Sequence, residues 1–136
     1  MNKRMILSAL LVICLLSALT ACSKDKNEPL TGVYVIADLT DDPDGVTFEE
    51  LSAMYKEMDL DVRDQFYFEF FDDAGFSLIL FGQEEAAGTF THEGNMLTLS
   101  DSNGETLTAE ISGKIITWTY KTGAKLVFEK KTVNDI

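Results

Sequence analysis

Along most of this chain, apolar and polar side chains alternate in short segments that are separated by turns rich in glycine, asparagine and serine. Alternation that involves aromatic and β-branched residues is typical of strands with one buried face. It predicts eight strands, at residues 32–39, 65–71, 76–81, 88–92, 96–100, 106–111, 115–120 and 125–129. The turns at 102–104 and 112–114 have hairpin sequences, so consecutive strands are expected to pair antiparallel.

One segment, between the first two strands, has helical periodicity instead. Thr47 is followed three residues later by Glu50, which is the pattern of a capping box at the start of a helix. Apolar residues from Leu51 onward then recur at the spacing of one helix face. These features predict a short helix over 48–58.

Eight strands in meander order, with one short helix between strands 1 and 2, predict a mainly β fold. The expected architecture is an antiparallel eight-strand meander that closes into a small barrel. A small open β-sandwich is the alternative, because an antiparallel sheet of this size can also fold over on itself. Phe71 and Phe81 fall on the outer side of the second and third strands, and the helix is the nearest element that could cover them.

Five aromatic residues are expected to face the interior of this sheet, namely Phe66, Phe68, Phe70, Trp118 and Tyr120. In a barrel of about eight strands, such side chains either fill the interior or line a small apolar cavity. Both possibilities stand at this point. The five residues are the candidate ligand-lining positions, and the ligand that would suit them is apolar or aromatic.

The N-terminus has the organisation of an export signal. Two basic residues precede an apolar run over 5–18, which is shorter than the roughly 20 residues of a membrane-spanning helix. The run ends in Leu-Thr-Ala-Cys at 19–22, which resembles the lipobox of bacterial lipoproteins. The resemblance implies that 1–21 is a signal peptide and that Cys22 carries a covalent diacylglyceryl lipid. An ordinary secretory signal or an uncleaved anchor is the alternative.

The same resemblance places the mature protein outside the cytoplasm, attached to the bacterial cell membrane through the lipid on Cys22. Residues 22–31 are polar and include Pro29, so they are expected to form a flexible tether. The folded domain then covers 32–131, and 132–136 is expected to be a disordered tail.

Two short motifs of this domain carry a second resemblance. Gly-Val-Tyr at 32–34 begins the first strand, and Phe-Glu-Lys at 128–130 ends the last one. Their positions resemble those in small lipocalin-like lipoproteins of bacteria, which implies a lipocalin-like barrel over 32–131. The first motif has Tyr34 where true lipocalins have Trp.

The chain is strongly acidic, with a formal net charge of −12. Removal of 1–21 takes away two basic and no acidic side chains, which leaves −14. This charge repels nucleic acids and anionic headgroups, so neither is an expected partner. Cationic partners or divalent ions could bind, although an acidic surface that only contacts solvent is commoner. Cys14 leaves with the signal and Cys22 is used by the lipid, so no thiol remains for a disulfide or a metal site.

The sequence contains no recognisable catalytic or metal-binding constellation. His92 is the only histidine, and one imidazole without a thiol does not make a zinc site. A Gly-x-Ser-x-Gly elbow is absent from the sequence. The acidic turns at Gly45 and Gly104 match only some ligand positions of a twelve-residue calcium loop. We therefore expect neither an enzyme, nor a bound metal, nor a cofactor apart from the covalent lipid.

Two functions are compatible with these observations. In the first, the barrel binds a small apolar ligand or a peptide without catalysis, which rests on the resemblance of the fold and on the interior aromatic residues. In the second, the core is filled, and the domain is a structural or interaction module of the cell envelope with an acidic binding surface. The expected partners are the membrane, through the lipid anchor, and either the small apolar ligand or an envelope protein.

Overall fold

The computed structural model describes residues 30–132. The predicted signal peptide, the lipobox with Cys22, most of the tether and most of the tail lie outside the described residues. Within 30–132 the chain forms eight strands, one α-helix and one short 3-10 helix. Their bounds are β1 Gly32–Thr40, α1 Phe48–Glu57, the 3-10 helix Val62–Asp64, β2 Tyr67–Phe70, β3 Gly75–Leu80, β4 Gln83–Glu93, β5 Met96–Asp101, β6 Thr106–Ser112, β7 Ile115–Thr119 and β8 Lys125–Lys130.

The eight strands form a closed barrel. Each strand pairs antiparallel with the next one along the chain, and β8 pairs back with β1. The order is therefore the predicted meander, with the one helix between the first two strands. The prediction of a mainly β fold that closes into a barrel is confirmed, and the open sandwich is not observed.

Inward-facing side chains fill most of this barrel. The alternation along each strand places one side chain in two toward the interior, and the intervening ones stay exposed or half-buried. Interior residues that are almost wholly shielded from solvent include Ile36, Phe68, Leu78, Leu97, Leu99, Ile116 and Phe128. Burial of one such side chain contributes about 1.5–3 kcal/mol, so this interior is a large source of the domain's stability.

One end of the barrel is packed with aromatic rings, and we call it the closed end. β1 begins there, β2 ends there, and Leu30 is buried where the chain enters. The ring of Phe70 meets the ring of Tyr34 edge-on at 5.6 Å between centroids, and it meets Phe90 at 5.0 Å. Edge-to-face rings at these distances are a favourable packing arrangement, so this end is well closed.

The opposite end, which we call the open end, carries the helix α1. The Oγ1 of Thr47 accepts a hydrogen bond from the backbone N–H of Glu50 at 3.2 Å, as the capping box predicts. The ring of Tyr55 meets the ring of Phe66 edge-on at 5.8 Å, and the helix also contacts β1 and the 3-10 helix. None of the residues of α1 is buried, so the helix lies on the rim of the barrel and does not enter the core.

The expectation that α1 covers the outer face of β2 and β3 is wrong. Phe71 and Phe81 are exposed, and α1 contacts β1 and the 3-10 helix instead. The cause lies in the segment after the helix, where Asp59 has a positive φ of 59° and Val62 is buried. The chain therefore turns sharply after α1 and holds the helix at the open end.

β4 starts five residues earlier than predicted, at Gln83. Leu80 pairs with Gln83, so only Phe81 and Gly82 lie in the connecting turn. Both have positive φ, at 55° and 74°, as the favoured two-residue hairpin turn requires. Farther along β4, a Cβ atom on Gly88 would overlap the carbonyl oxygen of Ser100, so the approach of β4 to β5 requires glycine there.

Candidate ligand-binding site

The first cavity lies at the open end between α1 and the rim of the barrel, and we call it the end pocket. Its volume is about 270 Å³. Leu51 and Met54 line it from the helix, and Ile36, Phe66 and Leu126 line it from the barrel. The pocket is therefore a largely apolar concave surface, which is the usual character of a site for a small organic ligand.

The charged side chain at the end pocket is already engaged by its own loop. Asp42 Oδ2 accepts hydrogen bonds from the backbone N–H groups of Asp44 at 3.1 Å and Val46 at 3.0 Å. At the barrel rim, Lys125 Nζ lies 3.6 Å from Asp41 Oδ2 in an exposed ion pair. Because the Asp42 carboxylate braces the loop, the end pocket offers its occupant mainly apolar contacts.

The helix that covers the end pocket is held by few contacts. Met54 lines the pocket although it is 54% exposed, and Met58, at the end of the same helix, is 55% exposed. The ring of Tyr55 rests on Phe66, and burial raises the pKa of its phenol. Elements with few buried apolar contacts open more easily than the core does. The structure thus places a helix with no buried residue over a largely apolar cavity.

The second cavity lies between β6 and β7, and we call it the lateral cleft. Its volume is about 550 Å³. Ala109 on β6 and Trp118 on β7 line it from the barrel interior, whereas Thr108 and Thr119 line it from the outside. Because the lining residues come from both faces of the sheet, the cleft passes through the barrel wall.

Small inward-facing residues create the space in the open half of the barrel. Ala86 and Ala109 are buried and line the lateral cleft, and the buried Ala124 lines the end pocket. Inward positions nearer the closed end hold phenyl rings instead, as at Phe76 and Phe90. Since protein interiors are close-packed, exchange of a ring for a methyl group leaves room that neighbouring side chains do not fill.

Tyr120 lies between the two cavities and lines both. Its ring meets the indole of Trp118 at 5.6 Å between centroids, at an interplanar angle of 67°. The Lys121 ammonium lies 5.4 Å from the centroid of the Tyr120 ring, within the range of a cation–π contact. The Tyr120 ring is therefore held by its contacts with the Trp118 indole and the Lys121 ammonium.

The five residues predicted to line a ligand are divided among three places. Phe66 lines the end pocket, Trp118 the lateral cleft, and Tyr120 both. Phe68 and Phe70 are buried in the packed interior and line neither cavity; the Phe68 ring meets that of Phe128 at 4.8 Å. The aromatic residues predicted as one cluster thus separate into three near the cavities and two in the core, and their contact with a ligand stays a prediction.

Sequence reasoning did not single out the residues that leave the space. Alternation assigns Ala109 to the inner face, but an alanine in a strand gives no sign that its surroundings are open. Met54 is one of the apolar residues that recur after Leu51, and helical spacing does not indicate that this face covers a pocket. The signal that could have found the site is the group of small inward residues in the open half, Ala86, Ala109 and Ala124.

The described residues contain no arrangement of metal ligands. No group of three or more His, Cys, Asp or Glu side chains within 30–132 could hold a metal ion. The ring Nε2 of His92 lies 2.8 Å from the carbonyl oxygen of Gly94, and its Nδ1 is buried without a hydrogen-bond partner. His92 lies on β4 toward the closed end and lines neither cavity.

Comparison with models of protein families, with curated proteins and with solved structures found no match for this chain. Within residues 30–132, none of the helices has the length and the apolar character needed to span a membrane. The end pocket and the lateral cleft are therefore the features of this chain that can indicate a function.

Proposed function

We propose that this chain is a non-catalytic binding protein, held outside the cytoplasm by a lipid on Cys22, that takes a small apolar ligand into the end pocket. The observation that supports this proposal is the pocket itself, a largely apolar cavity at the open end of a closed barrel. Clefts of this composition at the mouth of a barrel are common binding sites.

The size of the end pocket limits the ligand. Its volume of about 270 Å³ is just below the roughly 300–1,000 Å³ of pockets for drug-sized molecules. The Asp42 carboxylate accepts hydrogen bonds from the loop backbone and keeps its negative charge, so the pocket disfavours an anionic ligand. The hydroxyls of Tyr120 and Thr122 are the polar groups that could orient the ligand. A small, uncharged, apolar or aromatic molecule fits these properties best.

The position of the N-terminus determines where the lipid anchor would attach to the barrel. β1 begins at Gly32 at the closed end, and Cys22 precedes it by ten residues. Ten extended residues span about 33 Å. A lipid on Cys22 would thus hold the barrel by its closed end, and the acidic surface would be repelled by anionic headgroups.

The binding test uses the chain from residue 22 to 136 with Cys22→Ser, so that neither lipid nor detergent competes for the pocket. The probe is N-phenyl-1-naphthylamine, a neutral dye that fluoresces in apolar surroundings. We expect saturable binding of one dye per chain. Met54→Glu should weaken this binding at least about tenfold, because it places a charge at the pocket wall. Met58→Glu is the matched control, since Met58 is equally exposed but does not line the pocket.

Equal binding by the two variants, or no saturable binding at all, contradicts the proposal. Native mass spectrometry of the same chain provides a second measurement, because a natural ligand that co-purifies adds its mass. A clean apo mass without dye binding would favour the other function, an envelope module with an acidic binding surface.

The lipid anchor has its own test. Cells that express the full chain are labelled with a radioactive fatty acid, and the protein is recovered from the membrane fraction. We expect Cys22→Ala to abolish both the label and the membrane association. If that variant still takes up label and stays with the membrane, the anchor is not at Cys22.

A further inference from the structure

The ladder between β6 and β7 is shorter than its neighbours. It contains three residue pairs and ends with Glu110 opposite Thr117. On either side, β5 and β6 form five pairs, and β7 and β8 form five pairs. Continuation of the register would place Thr108 opposite Thr119, but the described pairing stops before them. The barrel wall is therefore open between these two strands toward the open end.

The backbone groups at this opening point into it. In an antiparallel sheet, the N–H and C=O of successive residues point alternately to the two neighbouring strands. The N–H of Ile111 donates to the carbonyl of Asn95 at 2.8 Å, on the β5 side, so the groups of Thr108 point the other way. The N–H of Tyr120 donates to Ala124 at 2.8 Å, on the β8 side, so the groups of Thr119 also point into the cleft.

Behind these groups lies space for one side chain. Ala86 and Ala109 are buried at the inner wall of the lateral cleft, and the indole of Trp118 borders it. A side chain that entered between the strands would meet two methyl groups and an aromatic ring, which favours an apolar residue.

Charges of both signs surround the mouth of the cleft. Glu85 at the start of β4 and Glu105 and Glu110 at β6 line it, together with Lys121 beyond β7 and Lys125 at the start of β8. Lys125 also pairs with Asp41, so the mouth presents both signs of charge but stays acidic on balance. A segment with one basic and one acidic residue beside its apolar residue is complementary to it.

We propose that the lateral cleft binds an extended peptide segment, which pairs with the backbone of Thr108 and Thr119 and places one apolar side chain beside Trp118. Addition of a strand to open sheet edges is a common mode of peptide recognition, in which main-chain hydrogen bonds supply affinity and one pocket supplies specificity. The site is separate from the end pocket and does not depend on the small-molecule function proposed above.

The peptide that tests this has blocked ends and the sequence Thr-Lys-Xaa-Glu-Thr, with Leu or Gly at Xaa. Trp118 is the only tryptophan of the chain and lines the cleft, so its fluorescence reports occupancy directly. With the chain 22–136 carrying Cys22→Ser, we expect the Leu peptide to bind at least about tenfold more tightly than the Gly peptide. Methylation of the amide nitrogens of Lys and Xaa should abolish binding, because it removes one donor toward each strand. Equal binding by methylated and unmethylated peptides would overturn the proposal.

Amide hydrogen exchange measured by NMR tests the state of the cleft without any substitution. In the free protein we expect the amides of Thr108 and Thr119 to exchange much faster than those of Glu110 and Thr117, which are paired. Saturation with the Leu peptide should slow the first two and leave the second two unchanged. If Thr108 and Thr119 are already protected in the free protein, the cleft is closed in solution and the proposal is wrong.

Thr108→Pro removes an N–H that points into the cleft and none that points to β5. We expect it to weaken peptide binding at least about tenfold, whereas Thr108→Ala, which keeps the N–H, should bind normally. Should the proline variant fail to fold, the methylated peptide decides the question.

Met54→Glu, in the end pocket, should leave peptide binding unchanged, so loss of binding at one site does not imply loss at the other. A concentration-dependent dimer that blocks the peptide would show that a second copy occupies the cleft, against the proposal.

Discussion

The two halves of the barrel differ in how completely side chains fill the interior. Toward the closed end, Phe70, Phe76 and Phe90 occupy inward positions, and the Phe70 ring meets the rings of Tyr34 and Phe90 edge-on. Toward the open end, inward positions hold Ala86 and Ala109, and the two cavities lie beside them. One continuous sheet thus contains a filled half and a half with room, although its strands run through both.

Because of this difference, one half of the barrel is suited to provide stability and the other is suited to bind a ligand. The packed half can supply most of the free energy of folding, because dense apolar contacts are what large core residues contribute. The open half gives up such contacts and gains concave surface in return. Proteins generally accept local instability where a ligand must enter, and the helix α1, with none of its residues buried, has the properties of such a region.

The largest expected difference between the halves comes from truncation of an inward residue. Phe68→Ala should lower the free energy of unfolding by about 3–5 kcal/mol, because it creates a cavity in packed surroundings. Leu107→Ala, half-buried beside the lateral cleft, should cost only about 1–2 kcal/mol, since open space already adjoins it. Urea denaturation followed by circular dichroism measures both. Equal losses would mean that the halves are packed alike.

Replacement of inward residues by larger ones should also cost more stability in the filled half than in the open half. Ile116→Phe, fully buried between Ile111 and Phe128 toward the closed end, should cost about 1–3 kcal/mol, because its neighbours have no room to yield. Ala109→Val should change stability by less than about 1 kcal/mol, since the added methyl groups enter the cleft. The same denaturation experiment applies. A large loss for Ala109→Val would show that the cleft is not open in solution.

The helix cap tests how the cover of the end pocket is held. Thr47→Ala removes the acceptor for the Glu50 N–H and should cost about 1 kcal/mol of stability. It should also weaken binding of the naphthylamine dye, because a frayed helix no longer forms the pocket wall. Thr91→Ala, at an exposed threonine of β4, is the control and should stay within about 0.5 kcal/mol of the parent chain. Unchanged dye binding in Thr47→Ala would show that the start of the helix does not affect the pocket.

The smallest effect concerns the 3-10 helix against which α1 lies. Hydrogen bonds from the Arg63 side chain and backbone N–H hold the pKa of the Asp61 carboxyl below its usual value. Because the pKa is lower in the folded state, the resulting stability is present at neutral pH and is lost as the pH falls below about 4. Both side chains are well exposed, so the contribution is about 1 kcal/mol or less.

The corresponding variant is Asp61→Asn, studied by thermal melts between pH 2 and pH 7. It should flatten the acid limb of the stability curve slightly, whereas Asp59→Asn, at an exposed aspartate two residues earlier, should not. If the acid limb is the same in Asp61→Asn and in the parent chain, the Asp61–Arg63 pair does not contribute to the stability of the open end.

Sequence pattern was sufficient for most of the architecture. Alternation located the eight strands, and the Thr47–Glu50 capping box located the helix start. The early start of β4 was missed for a physical reason, because its first five residues have low strand propensity and Phe81 is an unusual residue for a positive φ. These residues become a strand because the tight turn aligns them with β3, which is a property of the pair and not of the segment.

The candidate sites were harder to foresee than the fold. Inward orientation of Trp118 and Ala109 follows from alternation, but the separation of β6 from β7 does not. Where a ladder ends depends on competition between neighbouring pairings around the whole barrel, and no local pattern records that competition. Phe66 and Trp118 place rings in the open half as well, so the halves differ in where the inward alanines fall among them. The strand order decides which of these positions become neighbours.

Closure of the barrel has a consequence for the kinetics of folding. Tyr34 pairs with Lys130, which lies 96 positions later, whereas all other strand pairs join neighbours in the chain. Hairpins of neighbouring strands form early, because their loops are short, but β1 and β8 meet only after nearly the whole domain is in place. Until then, a chain that is synthesised from its N-terminus has a β1 strand that lacks its β8 partner. Closure is therefore expected to come late, and it removes the two long open edges, of β1 and of β8, at which aggregation could start.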